Sequence, residues 1–487
     1  MTVMEEGTLA SQRPLLPPLA LLIVCVLVAL LLPAVTFVAD PLIRSDDYPA
    51  LLGLPDLFYI KTLNEGRWLN YIWHLRGVVT PAWLNFLVYN LFWAIYLGGL
   101  VHLALGARTE LWRKVFVAVI AGLATPQILI SLWFNTLIPG LGVVAVYALL
   151  SVKLSSRASR GLLLIFVPIA LTAYTTYPFL LLALCLLRQD FDRSWKDLAG
   201  LLGLFLVSFV LGLLLIFGLN YLEHGIFGVV MADWRSPKPA QDLASLMQNL
   251  PVLWNFLDQI LLKASLNNPF LSLLQTALFG VAIWLTAKRD LLKAIYPLSG
   301  LVLCLAIVLM SGLKSGVGLP MRAGGFAWVF YAVFLGWLSL ELQERGRDRL
   351  GRNILFFVAA TYIAIAGMER HFSGSWQNYS RTLAAEIGPG EEPVLITGTY
   401  RSLTSAKRSQ LQSYYAVKFR LEHLTGRQVY VCEFEEEACQ DLPDALKTGL
   451  NPDADQQQHA LSTAGDNLVV LFSPTPIMQE KLEHNRK

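Results

Sequence analysis

The sequence predicts a polytopic α-helical membrane protein, with about ten to twelve membrane segments and a small C-terminal α/β domain outside the membrane. Three observations lead there. Hydrophobic residues make up 55% of the 487 and charged residues 15%, where a soluble domain carries about 25% charged. Long apolar runs recur down the chain with Lys/Arg clusters between them. From about Phe372 those runs stop, and short strand-like stretches alternate with helical ones.

The first run, residues 19–39, matches the roughly 20 residues that cross a bilayer. Before it, Met1 to Arg13 carries Glu5, Glu6 and a single basic residue. That is not the basic start and small-residue cleavage site of a signal peptide, so the run reads as a retained helix. Further runs cover residues 82–105, 115–133, 137–152, 161–187, 197–219, 270–287, 293–313, 325–341 and 353–369. Basic clusters punctuate them at Arg108/Arg113/Lys114, Lys153/Arg157/Arg160, Arg188/Arg193/Lys196, Lys288/Arg289/Lys293 and Arg345/Arg347/Arg349/Arg352. The positive-inside rule puts these loops in the cytoplasm. Residues 40–81, residues 220–269, the turn Lys314–Gly324 and the tail after Arg370 then face outward.

Run 161–187 has basic loops at both ends, so it must enter and return. Tyr174-Thr175-Thr176-Tyr177-Pro178 supplies the break, since proline ends or kinks a helix. The hairpin 115–152 is similarly short, with a break expected at Asn135 and Pro139-Gly140. Irregular backbone at membrane depth sits beside protein or a watery cavity, so an outward-facing cavity is expected.

The long outer loops carry amphipathic helices. In the first, Trp68, Leu69, Ile72 and Trp73 form one face, and Arg67, Asn70, Tyr71 and His74 the other. In the second, Leu243, Leu246, Met247, Leu250, Trp254 and Leu257 follow helical spacing. Helices lying along the membrane surface and helices packed on their own protein fit this pattern equally.

The division expected is a membrane module, 1–371, and an outer α/β domain, 372–487. In the latter, Pro393–Thr397, Gln428–Cys432 and Asn467–Phe472 read as strands and Gln410–Leu424 as a helix closed by Gly426. Cys432 and Cys439 either pair as a disulfide on an oxidising side or stay free thiols. The net charge of +3 and the lack of a basic stripe argue against nucleic acid as a partner.

Candidate chemistry begins with Asp46-Asp47 past the first helix. Adjacent carboxylates raise one another's proton affinity, which suits a general base drawing a proton from a hydroxyl. Asp is equally a helix cap. Arg322, in Leu319-Pro-Met-Arg-Ala-Gly-Gly325, and Lys314 are candidates for gripping a phosphate at the membrane surface. Interfacial snorkelling is the alternative. The remaining outer basic residues, Arg44, Lys61, Arg67, Arg76, Arg235, Lys238 and Lys263, stand on the side the positive-inside rule disfavours. Arg67 and Arg235 adjoin Trp68 and Trp234, a pairing suited to sugars, although tryptophan also collects at membrane interfaces for purely physical reasons. Glu65 and His74 complete the candidate set. No HExxH or paired CxxC is present.

The pattern of an outer acidic pair, Glu65-Gly66-Arg67-Trp68, a late outer basic turn and a small outer tail resembles the GT-C class of integral-membrane glycosyltransferases. It looks most like bacterial and phage glucosyltransferases that modify O-antigen in lipopolysaccharide of the cell envelope. The likeness covers roughly residues 15–370. It implies an inverting hexosyltransferase of the bacterial cytoplasmic membrane, working on its outer, periplasmic face. The donor would be a sugar on a polyprenyl phosphate such as undecaprenyl phosphate, the acceptor a glycan or lipid-linked glycan. Asp46 or Asp47 would be the base, and Arg322, with Lys314, would hold the departing phosphate. Glu65, Arg67, Trp68, His74, Trp234 and Arg235 would contact substrate. Some relatives bind Mg2+ or Mn2+ through acidic residues; here the metal stays open. A transporter or flippase for a lipid-linked saccharide is the alternative, and a partner-binding assembly component a third.

Overall fold

The computed structural model describes residues 16–44, 47–411, 413–447 and 459–472. Among them, eight helical stretches are long and apolar enough to cross a membrane: Pro18–Val38, Ala82–Leu105, Thr125–Lys153, Trp195–His224, Pro269–Arg289, Leu291–Ser315, Phe326–Glu344 and Asp348–Ile387. Their ends are written in the sequence. Ser194 accepts from Asp197 N, Asn268 from Phe270 N and Leu271 N, and Asp290 from Lys293 N, each capping the helix that follows. Gly225 and Gly316 close two of them at φ 69° and 67°, conformations that cost glycine nothing.

Thr125–Lys153 and Phe326–Glu344 form the centre of the bundle, while Trp195–His224 and Pro269–Arg289 are peripheral. The peripheral helices expose large apolar side chains, with Leu222 81% and Phe270 74% exposed. Contiguous apolar surface on helices of this length suggests a lipid-facing exterior.

The basic loops gather at one end. Arg113 pairs with Glu110 and Asp348 (3.3 and 2.8 Å). Arg160 pairs with Asp197, which also accepts from the Tyr296 hydroxyl. Arg188 donates to the carbonyls of Ser151 and Leu154, and Arg289 reaches Glu341 and Glu344. The expected re-entrant run is two short helices, Leu163–Leu171 and Tyr177–Leu187. Its tip lies at the opposite end of the bundle.

The other short hairpin breaks elsewhere than expected. The chain turns through Leu123–Ala124 and the 3-10 turn Ser131–Trp133, and Pro139 lies inside the helix Phe134–Lys153. Proline at 139 removes the donor that the Asn135 carbonyl would otherwise receive. The indole N–H of Trp73 replaces it at 3.1 Å. A side chain at Gly140 would overlap Ala173 and Tyr177, so glycine there seats the re-entrant tip against this helix.

Asp348–Ile387 has 40 residues, about 60 Å at 1.5 Å per residue and twice a bilayer core. It runs through the expected boundary at 372 without a break and carries the tail domain. That domain is a four-stranded sheet in the order β2-β1-β4-β3, with β1 Val394–Thr397, β2 Val429–Val431, β3 Ala460–Ala464 and β4 Asn467–Leu471. β1 is parallel to β2 and β4, and β3 is antiparallel to β4. β3 was not expected from its sequence. The helix is shorter than expected, Tyr415–Thr425, and Gly426 ends it. Cys432 and Cys439 are disulfide-bonded. Arg420 from this helix grips both oxygens of Asp40 (2.6 and 2.5 Å), and Arg44 donates to Ser409 O and Gln410 Oε1. The tail is thereby clamped to the segment that follows the first long apolar helix.

Candidate functional site

The helix Phe134–Lys153 starts after Trp133, which offers no capping side chain. Asp47, 88 residues earlier, supplies the cap. Its Oδ2 accepts from Asn135 N and Nδ2 (3.0 and 2.9 Å), and its Oδ1 from Thr136 N (2.5 Å). Asn135 in turn accepts from Asn85 Nδ2 at 2.7 Å. A fully buried carboxylate at a helix N-terminus, holding three N–H donors, has the geometry of a cap. Its lone pairs are committed, which suits positioning better than proton abstraction. Ser45 and Asp46 lie outside the described residues.

At the same end lies a cavity of about 670 Å³. Lys61, Glu65 and Arg67 enter it from the first loop, and Trp234 and Arg235 from the second. Arg322 comes from the late turn, Trp133 and Tyr174 from the two hairpin tips, and Tyr414 and Tyr415 from the tail. Four cations and one carboxylate thus share a wall of aromatic rings. Glu65 sits between Arg67 (2.5 Å), Arg235 (2.6 Å) and Lys61 (3.8 Å), and joins the two long loops. Gly66 makes the reversal at φ 68°; a Cβ there would lie 2.6 Å from Ile216 Cγ2. Arg67 lies over Tyr174 at 5.5 Å and Arg235 over Trp234 at 4.8 Å.

Arg322 lies over the Trp133 ring at 4.3 Å, and Arg44 lies over the same ring at 5.2 Å. Among the described residues the Arg322 guanidinium makes no hydrogen bond or ion pair. Burial, and then the charge of Arg322, hold the Arg44 guanidinium down to about 10. Two cations on one indole concentrate positive charge that an anion would relieve. The glycines beside Arg322 serve the protein's own packing. A Cβ at Gly324 would lie 3.0 Å from Ile260, and one at Gly325 would lie 2.9 Å from Gln127.

Three expected contact residues are placed elsewhere. Lys314 is exposed and absent from the cavity lining; its carbonyl anchors Ala240 N at 2.8 Å. Trp68 is buried and donates to Asn220 Oδ1 at 2.7 Å. His74 is buried, stacked 4.1 Å from Phe58, with Nδ1 against Asn70 O. The helix Trp68–His74 buries residues of both expected faces, Trp68 from the apolar one and Asn70 and His74 from the polar one. Asn70 and His74 face inward, where Asn70 donates to Ala173 O, and Ile72 points outward, 59% exposed. Arg44, Trp133, Tyr174, Tyr414 and Tyr415 were not singled out as site residues. Arg44 alone carried a signal, two residues before the acidic pair on the side poor in basic residues.

Among the described residues no group of three His, Cys, Asp or Glu side chains is placed to hold a metal ion. Glu65, the one described carboxylate lining the cavity, is already held by three cations. Comparison with known protein families, curated proteins and solved structures finds no match for this chain.

Proposed function

We propose that this chain is an inverting glycosyltransferase of GT-C type that moves a hexose from a polyprenyl-phosphate donor to a glycan hydroxyl. The observation that carries the reading is the convergence of Glu65, Arg67, Trp234, Arg235 and Arg322, from distant parts of the sequence, on one aromatic cavity. A lipid-linked sugar presents the same combination of anionic phosphate, polar ring and apolar tail. Behind the turn that carries Arg322 lies an apolar crevice of about 200 Å³, lined by Ile260, Leu261, Phe279, Leu305 and Trp328. It suits the start of the polyprenyl chain. The helix Leu250–Leu261 beside it exposes Trp254, 76% accessible, as a membrane-surface helix would.

In this reading Asp46 is the base, and Asp47 caps the helix that starts at Phe134. Asp46 takes the proton of the acceptor hydroxyl as the acceptor oxygen attacks the anomeric carbon. The bond to the lipid phosphate breaks, and Arg322 with Arg44 receives the charge that develops there. Trp234, Tyr174 and the Glu65 network hold the sugar. The basic loops face the cytoplasm, so the cavity and the disulfide-bearing tail face the oxidising side of a bacterial cytoplasmic membrane. O-antigen or another cell-envelope glycan is the acceptor class the resemblance favours.

Purified protein given polyprenyl-phosphate hexose and a glycan acceptor should release polyprenyl phosphate. Asp46→Asn should lower the rate by about 10²–10⁴-fold with the fold intact. Passage of intact lipid-linked sugar across reconstituted vesicles, with no bond cleaved, would instead establish the transporter.

A further inference from the structure

A second cavity, of about 300 Å³, lies where the first membrane helix ends against the long helix Asp348–Ile387 and the tail domain. Arg370, His371, Arg381 and Arg408 line it, with one carboxylate, Asp40. Asp40 is already taken by Arg420 on both oxygens and by Arg381 at 3.5 Å. Arg370 is buried, 5% exposed. Its Nη2 donates to Ser131 Oγ at 2.6 Å, and its buried Nη1 has no partner among the described residues. Burying a guanidinium incompletely satisfied is costly unless an anion completes it. His371 and Arg408 are exposed and unpaired among the described residues. Phe37 and Phe372 complete the wall, and Leu32 and Val35, 60% and 66% exposed, continue the lipid-facing side of the first helix below it. The cavity therefore stands where apolar exterior gives way to polar surface.

We propose that this cavity binds a phosphate group, carried by an anionic phospholipid headgroup or by a soluble phosphate. The inference does not depend on the transferase reading. Arg370 and Ser131 connect the site to the turn that ends in Trp133, on which Arg322 and Arg44 lie, so a bound phosphate would brace that turn. The test uses full-length, delipidated protein titrated with phosphatidylglycerol, bound lipid being read by native mass spectrometry. Phosphatidylcholine is the zwitterionic control. The Arg381→Ala/Arg408→Ala protein changes only exposed side chains, so it should fold. Phosphatidylglycerol should bind the wild type in preference to phosphatidylcholine, and the double variant at least about tenfold more weakly. Millimolar inorganic phosphate separates the sources. Competition identifies phosphate alone as sufficient, and no competition identifies the lipid headgroup; either supports the site. Equal binding of the two lipids, or unchanged phosphatidylglycerol binding by the double variant, overturns it.

Discussion

Asp47→Asn separates a cap from a base. In the wild type, the carboxylate holds Asn135 N, Asn135 Nδ2 and Thr136 N. Asparagine keeps one oxygen, so either the pair at Asn135 or the bond at Thr136 is satisfied. At the other position an amide N–H2 faces a backbone N–H. At least one charge-assisted bond is lost, worth roughly 1.5–3 kcal/mol. The favourable interaction of a negative charge with the helix N-terminus goes too, roughly 0.3–1 kcal/mol and more where buried. The start of the helix should be destabilised by about 2–4 kcal/mol. Converted at 1.36 kcal/mol per tenfold, that is an increase of about 30- to 1,000-fold in amide hydrogen exchange at Asn135 and Thr136. Hydrogen-exchange mass spectrometry over a peptide covering 131–138 reads this directly. Asp46→Asn should leave exchange there unchanged while lowering turnover by about 10²–10⁴-fold. The reasoning fails if Asp47→Asn shows wild-type protection over this peptide yet loses activity as a missing base would. Asp47 would then be the proton acceptor.

Three further outcomes are expected. Arg322→Ala should cost about 10²–10³-fold in turnover, with Arg322→Lys recovering part of it and Lys314→Ala close to wild type, all read by release of polyprenyl phosphate. His74→Ala should lower thermal stability through the lost ring stacking on Phe58, which alone contributes roughly 0.5–1.5 kcal/mol; KM for the donor should not change, and a raised KM with unchanged stability would return His74 to the binding site. Cys432→Ser/Cys439→Ser opens a short loop worth about 2–3 kcal/mol in chain entropy. Proteolysis of the tail should accelerate while the helical bundle melts as before.

Local signals were legible in the sequence. The long apolar helices, the re-entrant run around Tyr174–Pro178 and three of the four described strands follow from apolar periodicity, proline and glycine. β3, Ala-Leu-Ser-Thr-Ala, carries little apolar alternation and is held in place chiefly by β4, a tertiary cause invisible locally. The hairpin break was misplaced because Trp73 heals the gap left by Pro139 from 62 residues away. The mixed burial of Trp68–His74 has a similar origin. Periodicity shows that a helix has two faces, but not which residues pack against the rest of the protein. Positive charge on the disfavoured side pointed to Arg322, Arg235 and Arg67, and the structure brings them together. Lys314 carried the same signal and lies outside the cavity, because a charge pattern says nothing of side-chain direction. Trp133 carried no signal at all, being one aromatic in an apolar run.

The most direct measurement is a structure of the full-length protein with polyprenyl phosphate bound. The phosphate is expected over Trp133, with its oxygens about 2.7–2.9 Å from the Arg322 guanidinium and the prenyl chain entering the crevice beside Trp328. A phosphate seated at Arg370 and Arg408, with nothing bound at Arg322, would contradict the proposed donor site.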